Sequence, residues 1–369
     1  MKCRFCNNSV KEVFLDLGMS PLANSNLKLS VLNNGESFYP LCAYFCSKCY
    51  LVQLDEFESP ENIFSDYDYY SSFSDTFNKH IESFVNSTIS RFDISQESQI
   101  IEIASNDGYL LKYFKKKKFP VLGIEPARNI ANDAELNGIP TLNKFFGVQT
   151  AKEVSSSGKK ANILIAFNVL PHVPDLNDFV EGLKILLDSK GILIIQFSAY
   201  LTNLIEQNQF DMIYHEHFSY FSLHTLQKIF SSFGLSIFDA EEVSVHGGSL
   251  RLFIKHEKNS DFEITPNINK LLDAEKQFGL LDSSIYNKYP EKISNVKQNI
   301  WKLFISAKQN NKKIVCYGAP AKGNTLLHFC GIGKDFIEYT VDKNPRKQNL
   351  FLPGTHIPIY SPEKIRSTK

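Results

Sequence analysis

QIIEIASNDGYLLKYFKKKKF (99–119) is the stretch on which the fold turns. Three of its first five residues are isoleucine, apolar and β-branched, and the run has the length of a buried strand. ASNDG then supplies a tight turn of small and polar residues. YLLKYF follows with apolar residues at helical spacing, so the stretch reads as strand, turn, helix. The pattern repeats downstream. VLGIEPARNIANDAELNG (121–138) reads as a strand and then a helix closed by Gly138, ANILIAFNVLPHV (161–173) as a strand and loop, and GILIIQF (191–197) as a strand. Upstream, an amphipathic helix begins at about residue 74. Strands alternating with helices predict an α/β fold with a parallel doubly wound sheet. Ligands of such sheets bind beyond the carboxyl ends of the strands.

The first turn, E-I-A-S-N-D-G (102–108), lacks the G-x-G-x-x-G of a dinucleotide pyrophosphate site. A cationic cofactor bearing an amino acid, such as S-adenosylmethionine, fits better. Glu102, Asn106 and Asp107 are then expected to face its methionyl part, with Ala104, Ser105 and Gly108 forming the turn. Glu125, before Pro126, ends the second strand, where a carboxylate accepts hydrogen bonds from ribose hydroxyls. NAD, or no cofactor, is the alternative.

The chain has 369 residues, so two or three domains are expected. Lys+Arg and Asp+Glu both number 40, which predicts no polyanion-binding surface and no nucleic-acid partner. MKCRFCNNSV lacks the apolar centre of a signal peptide. The apolar runs are far shorter than the ~20 residues a membrane helix needs. A cytoplasmic protein with no membrane association is expected.

CRFC (Cys3, Cys6) and CSKC (Cys46, Cys49) are paired C-x-x-C knuckles. In a cytosolic chain, clustered cysteines point to metal before disulfide. Four thiolates suit a closed, structural Zn²⁺ site. A redox dithiol is the alternative. Cys42 reads as a spare, buried thiol.

YHEH (214–217) gathers Tyr214, His215, Glu216 and His217. After GILIIQF comes an expected helix, YLTNLIEQNQF (200–210), and after the run a helix capped by Ser222 and ended by Gly234. LSIFDAEEV (235–243) and SLRLFIKH (249–256) read as the last strand pair. The run therefore emerges at the strand carboxyl ends, over the cofactor, near His172 of NVLPHV. It is not H-E-x-x-H and makes a poor metal site. Proton transfer fits better, since a histidine and a carboxylate can share a proton and a tyrosine can hold an oxyanion. A hydrogen-bonded loop without chemistry is the competing reading.

Long stretches resemble the sugar-nucleotide C-methyltransferases of deoxysugar pathways. They are the paired C-x-x-C, LGMSPLAN (17–24), DYYSSFS (68–74), EIASNDGYLL (102–111), GIEPARNIA (123–131), NVLPHVPDLNDF (168–179), QFDMIYHEHFSYFS (209–222), VHGGSLR (245–251), GAPAKGNTLL (318–327), TVDKNPRKQ (340–348) and PGTHIPI (353–359). The resemblance implies a zinc-binding domain (1–73), a class I methyltransferase core (74–260), and a helical linker with a Rossmann-like domain (261–369). It implies methylation of a ring carbon beside the ketone of a 4-keto-deoxy sugar carried on dTDP or a similar nucleotide. His217 is then the base, oriented by Glu216, while Tyr214 and His172 stabilise the enolate oxygen. Asn168 is expected on the cofactor side and Tyr69 against the sugar. Lys322 and Asn324, in the Gly-rich turn KKIVCYGAPAKGNTLLHF (312–329), are candidates for the diphosphate, and a purely structural Rossmann turn is the alternative. Arg251, after two glycines, would meet phosphate or a surface acid.

Departures from the family pattern are Phe167-Asn168 in place of Asn-Asn and Gln196-Phe197-Ser198 in place of Glu-x-Pro. The sequence also stops at SPEKIRSTK, short of the closing strand and helices that the resemblance implies. O-methylation of a sugar or small metabolite, or a catalytically silent zinc-bearing scaffold, are the alternatives. The sugar, the nucleotide, the carbon and the oligomeric state are not legible.

Overall fold

The computed structural model describes residues 1–65, 70–73 and 75–368. In chain order the strands are β1 (Glu12–Ser20), β2 (Tyr39–Phe45), β3 (Val52–Leu54), β4 (Ile100–Ile103), β5 (Val121–Ile124), β6 (Thr141–Leu142) and β7 (Ala161–Phe167). They continue with β8 (Leu187–Phe197), β9 (Ser219–Tyr220), β10 (Leu235–Val243), β11 (Ser249–His256), β12 (Ile314–Tyr317), β13 (Ile337–Val341) and β14 (Ile359–Tyr360).

The central sheet has seven strands in the order β10-β11-β8-β7-β4-β5-β6. From β8 through β6 it is parallel, and β10–β11–β8 is antiparallel. This is a class I methyltransferase sheet with helices crossing between its strands. Ile100, Ile101, Ile103, Leu164, Ile165, Ile194 and Ile195 are buried, because helices cover both faces of the central strands. Each such side chain stabilises the core by about 1.5–3 kcal/mol. The strand order reverses between β4 and β7, which opens a crevice at their carboxyl ends.

The turn 104–108 follows β4 and Glu125 follows β5, so both lie at strand carboxyl ends. The helix Arg128–Leu136 stops before Gly138, whose φ of +80° suits glycine. Ser222 caps the helix Leu223–Ser232 by accepting from the Thr225 N–H. The helix expected over 200–210 is shorter. It covers Leu201–Glu206, and a separate 3₁₀ turn spans Phe210–Met212. Asn208 between them adopts a left-handed φ of +55°, which ends the first helix. Cys42 is half-buried rather than buried.

A smaller sheet, β1-β2-β3-β9, carries the cysteine knuckles. Its last strand comes from the far side of the sequence. Val52 pairs with Tyr220 and Gln53 with Ser219, so the residues just after YHEH complete the amino-terminal sheet. A third sheet, β12-β13-β14, is parallel. The helices Pro266–Phe278 and Ser283–Gln309 lead into it. No helix among the described residues is long and apolar enough to cross a membrane.

Candidate active site

One cavity of ≈ 760 Å³ is lined from all three sheet regions, by Asn24 from the first, Glu125, Asn168, Tyr214 and His217 around the second, and Lys322 beside the third. At its β4–β5 end stand Glu125 and Lys144, the latter paired with Glu153, and on the wall formed after β12 and β13 stand Lys322, Lys343 and Lys347 with Asp342 among them.

At the Glu125 end the backbone takes an unusual course. Ala104 and Asn106 both have positive φ, +51° and +50°, and Gly108 follows at +75°. A side chain on Gly108 would strike Ile139 at 2.7 Å, so the turn requires glycine there. Glu125 accepts from the Asn106 and Ala127 N–H groups, each at 2.9 Å. Burial raises its carboxyl to about 7 against the pull of those two donors. Glu102 is buried behind the turn, and burial pushes its carboxyl well up. Glu102 Oε2, Ser105 Oγ, Asp107 Oδ1 and Asn168 Oδ1 are buried and accept no hydrogen bond from the described residues. Such a set of buried acceptors fits a ligand rich in hydroxyl and ammonium donors, as S-adenosylmethionine is. Ala104, Pro126 and Asn168 line the cavity directly.

Between the two ends stands the Tyr-His-Glu-His run. His217 is buried, with Nδ1 2.9 Å from the Met212 carbonyl and Nε2 2.7 Å from the Tyr214 hydroxyl. A carbonyl only accepts, so Nδ1 carries the proton and Nε2 presents its lone pair to Tyr214. Burial pushes the His217 imidazole well below its ordinary range, helped by His172 and Lys322 nearby. The His172 ring lies 4.7 Å from that of His217, and burial takes it down to about 4. Both are neutral imidazoles at neutral pH.

Two expected roles change on this geometry. Glu216 was the expected orienter of His217, but both ring nitrogens are held by Met212 and Tyr214. Glu216 instead accepts from Asn24 Nδ2 at 2.7 Å. His172 was an expected donor to an enolate oxygen. It is hydrogen-bonded to the Glu216 backbone, and its buried Nδ1 has no partner among the described residues. A neutral imidazole has one N–H, and here it is spent on a carbonyl. Tyr214 is left as the donor.

Of the expected substrate contacts, Lys322 lines the cavity, with burial lowering its ammonium against the opposing pull of Asp211. Asn324 is buried in the following helix, away from the lining. Tyr69 lies outside the described residues. Its neighbour Tyr70 does line the cavity and donates to Asp133 Oδ2 at 2.8 Å. Arg251 is a correction. It is buried in β11 with Nε 2.9 Å and Nη2 2.7 Å from Gln196 Oε1, and Nη1 2.6 Å from Glu241. Nη2 also donates to His80, and the guanidinium lies over Phe84 and Phe167. Its donors are consumed inside the sheet edge, where a phosphate has no access. Of the two readings, the surface acid is the one seen.

Sequence reasoning missed Asn24, Asp342 and the Met212 carbonyl. Asn24 sits in LGMSPLAN, quoted above only as a likeness. Asp342 follows β13, lines the cavity, and accepts from the Ala319 and Asn344 N–H groups at 2.8 Å. The order of β12, Gly-rich turn, helix and β13 was the signal available for it.

The Sγ atoms of Cys3, Cys6, Cys46 and Cys49 lie within 4.8 Å of one another. Cys3 is 3.5 Å from Cys49 and Cys6 is 3.6 Å from Cys46. Tetrahedral Zn–S bonds of ~2.3 Å need sulfurs at about this spacing. The two knuckles match in backbone geometry, with Asn7 N–H donating to the Cys3 carbonyl and Tyr50 N–H to that of Cys46.

A family model for a zinc binding domain matches residues 3–64, one for a methyltransferase domain matches 77–239, and one for a C-methyltransferase C-terminal domain matches 244–369. The chain is 31% identical over 363 residues to the C-methyltransferase NovU of Streptomyces niveus, covering 98% of this chain and 86% of that protein. Among solved structures, the magnesium protoporphyrin IX methyltransferase of Synechocystis PCC 6803 with bound SAM is 15% identical, at a TM-score of 0.36 over 48% of this chain and 78% of that one. The PH0226 protein of Pyrococcus horikoshii OT3 is 14% identical, at 0.40 over 54% and 99%.

Proposed function

Because the chain belongs to the S-adenosylmethionine-dependent C-methyltransferase family with an amino-terminal zinc-binding domain, we propose that it methylates a nucleotide-linked 4-keto-deoxy sugar at a carbon beside the ketone. The observation that carries this reading is that one cavity joins a buried carboxylate pocket to a lysine cluster. Glu125 at one end suits the ribose of a sulfonium cofactor, three lysines against the single Asp342 at the other suit a diphosphate, and Tyr214 with His217 stands between them. dTDP, or a nucleotide like it, is the carrier this arrangement suits. The working parts are residues 1–73, 74–260 and 261–369. A cytoplasmic setting fits, since it keeps four knuckle thiols reduced for zinc.

Bound S-adenosylmethionine supplies an electrophilic methyl group at the cavity. Glu125 accepts its ribose hydroxyls, while Glu102, Asn106 and Asp107 bound its amino-acid part and Asn168 closes the side. The rest falls to the chain. A carbon beside a ketone loses its proton only if the oxygen charge that develops is stabilised. The Tyr214 hydroxyl turns from His217 to the ketone oxygen of bound substrate and donates to the enolate. Nε2 of His217 then takes the α-proton, and the C–H electron pair becomes the enolate double bond. Nδ1–H remains fixed on Met212, so the imidazolium that forms keeps its orientation. His172 walls the base and keeps water away. Lys322, Lys343 and Lys347 hold the diphosphate.

The test is mass spectrometry of the purified protein with S-adenosylmethionine and a panel of dTDP- and GDP-linked 4-keto-6-deoxy sugars in heavy water. The expected result is a product carrying one methyl in place of a hydrogen, with deuterium entering recovered substrate. Methyl transfer without deuterium uptake would overturn the enolate. Neither event with any sugar, despite cofactor binding, would overturn the substrate class.

A further inference from the structure

Arg4 lies between two zinc-ligand positions, Cys3 and Cys6, yet its side chain points into the protein and is 11% exposed. Nη1 donates to the Pro174 carbonyl at 2.8 Å and Nη2 to the Leu54 carbonyl at 2.9 Å. The guanidinium lies 5.0 Å over the Phe218 ring. Its own backbone N–H donates to Gln53 Oε1 at 2.9 Å, and Asn177 Nδ2 donates to the Arg4 and Phe5 carbonyls. Glu56, the nearest acid, stands at 3.8 Å.

These partners are not scattered. Pro174 closes the short segment that presents His172, and Phe218 immediately follows His217. The two segments also bind each other and β3, with Phe218 N–H donating to the Pro171 carbonyl at 2.7 Å and Leu54 N–H to the Phe218 carbonyl at 3.0 Å. One guanidinium thus spans β3, the His172 segment and the His217 segment. A planar fork can give two carbonyls a hydrogen bond each while its face lies on a ring. An ammonium, as a point donor, cannot do all three.

We propose that Arg4 is a positioning residue that couples the cysteine knuckle to the two histidine segments, so that the zinc-bearing module sets the placement of His217. It acts through Phe218 and Pro174 and touches neither substrate nor cofactor. The inference rests on the reading of His217 as the working base, and its test has an arm that needs no substrate.

The full-length, zinc-loaded protein is compared with Arg4→Lys. Zinc content, S-adenosylmethionine affinity, the His217 Nδ1–H resonance and kcat are measured together. The expected result is unchanged zinc content and cofactor affinity, a shifted or broadened His217 resonance, and kcat lower by roughly 10²-fold at unchanged KM, the scale of a displacement of about 1 Å at a reacting group. An unmoved resonance and an unmoved kcat in a folded, zinc-loaded variant would overturn the proposal. So would losses that follow zinc loss in proportion, since Arg4 would then only fasten the module. Should Arg4→Lys fail to fold, Arg4→Gln is read by the same four measurements. If the sugar panel yields no turnover but the resonance moves, the substrate reading fails and the coupling stands.

Discussion

The Tyr214 hydroxyl and Nε2 of His217 are 2.7 Å apart, and the Met212 carbonyl behind Nδ1 fixes which of them donates. A tautomer assigned by a backbone carbonyl cannot drift when the substrate enters. In the proposed reaction the base is therefore prepared beforehand rather than assembled during it. Two substitutions separate the two partners.

His217→Asn removes the proton acceptor. Both kcat and deuterium exchange into substrate are expected to fall by about 10²–10⁴-fold, the usual contribution of a positioned base. Tyr214→Phe leaves the base but removes the oxyanion donor. It is expected to cost about 10²–10³-fold in kcat with little change in cofactor affinity. Exchange measured without cofactor is the check, because both losses must appear there before any methyl is transferred.

The pH dependence divides between two sites. Burial pushes Glu125 up to about 7, so its carboxylate forms only as pH rises through that value. Ribose hydroxyls bind the ionised form, and S-adenosylmethionine affinity is expected to climb up to about tenfold per pH unit below 7 and then level off. Burial pushes His217 and His172 down instead, His172 to about 4. A base with a lowered value stays neutral as pH falls past 6, so the acid limb of kcat is expected below the ordinary histidine value of ~6.5. Calorimetric titrations against pH check the first limb and saturating-cofactor kinetics the second. In Glu125→Gln the affinity limb should vanish while the kcat limb stays.

Zinc removal should reach the catalytic run, because β9 is at once the end of YHEHFSY and the edge of the knuckle sheet. Cys46→Ser is expected to lose the metal, destabilise the sheet, and lower kcat through loss of the Val52–Tyr220 pairing. Structural zinc sites contribute up to ~10–16 kcal/mol in isolated fingers, and less is at stake where a sheet remains. Zinc analysis, thermal melting and hydrogen exchange at Ser219–Phe221 are the measurements. Faster exchange at these amides, with β4–β7 still protected, is the expected outcome.

Much of this was legible in the sequence where chemistry follows short spacing. The strand–turn–helix at 99–119 carries its own period, and two knuckles of C-x-x-C declare their ligands. The sign of Glu125 at a strand end needed only the alternation of elements. Backbone partners were not legible, since the Met212 carbonyl has no side chain to notice. Nor was the meeting of Asn24 with Glu216, 192 residues apart. β9 is two residues long, too short for any periodicity, and exists only because β3 lies beside it. Arg251 was left between a phosphate and a surface acid for a related reason. Two glycines before an arginine do not tell where its guanidinium goes; the strand it joins carries it to Glu241.

Arg251→Met tests that correction. Gln196 Oε1 takes two of the guanidinium's hydrogen bonds, and Phe167 lies under its face, so both departures from the family pattern belong to one buried cluster. Methionine fills the space over Phe84 and Phe167 but leaves the buried Gln196 carbonyl without its donor. The expected cost is about 1–3 kcal/mol of stability. Glu241 is 40% exposed and regains water, so its ion pair adds little to the loss. Phe167 reaches the cavity lining but Arg251 and Gln196 do not, and methionine keeps Phe167 packed, so KM for the sugar nucleotide should stay unchanged. Lys322→Met should raise that KM by about tenfold, roughly 1.4 kcal/mol, without lowering the melting temperature. Denaturant melts paired with steady-state kinetics on the two variants distinguish a structural arginine from a diphosphate-binding lysine. A raised KM in Arg251→Met at full stability would return that residue to the substrate site.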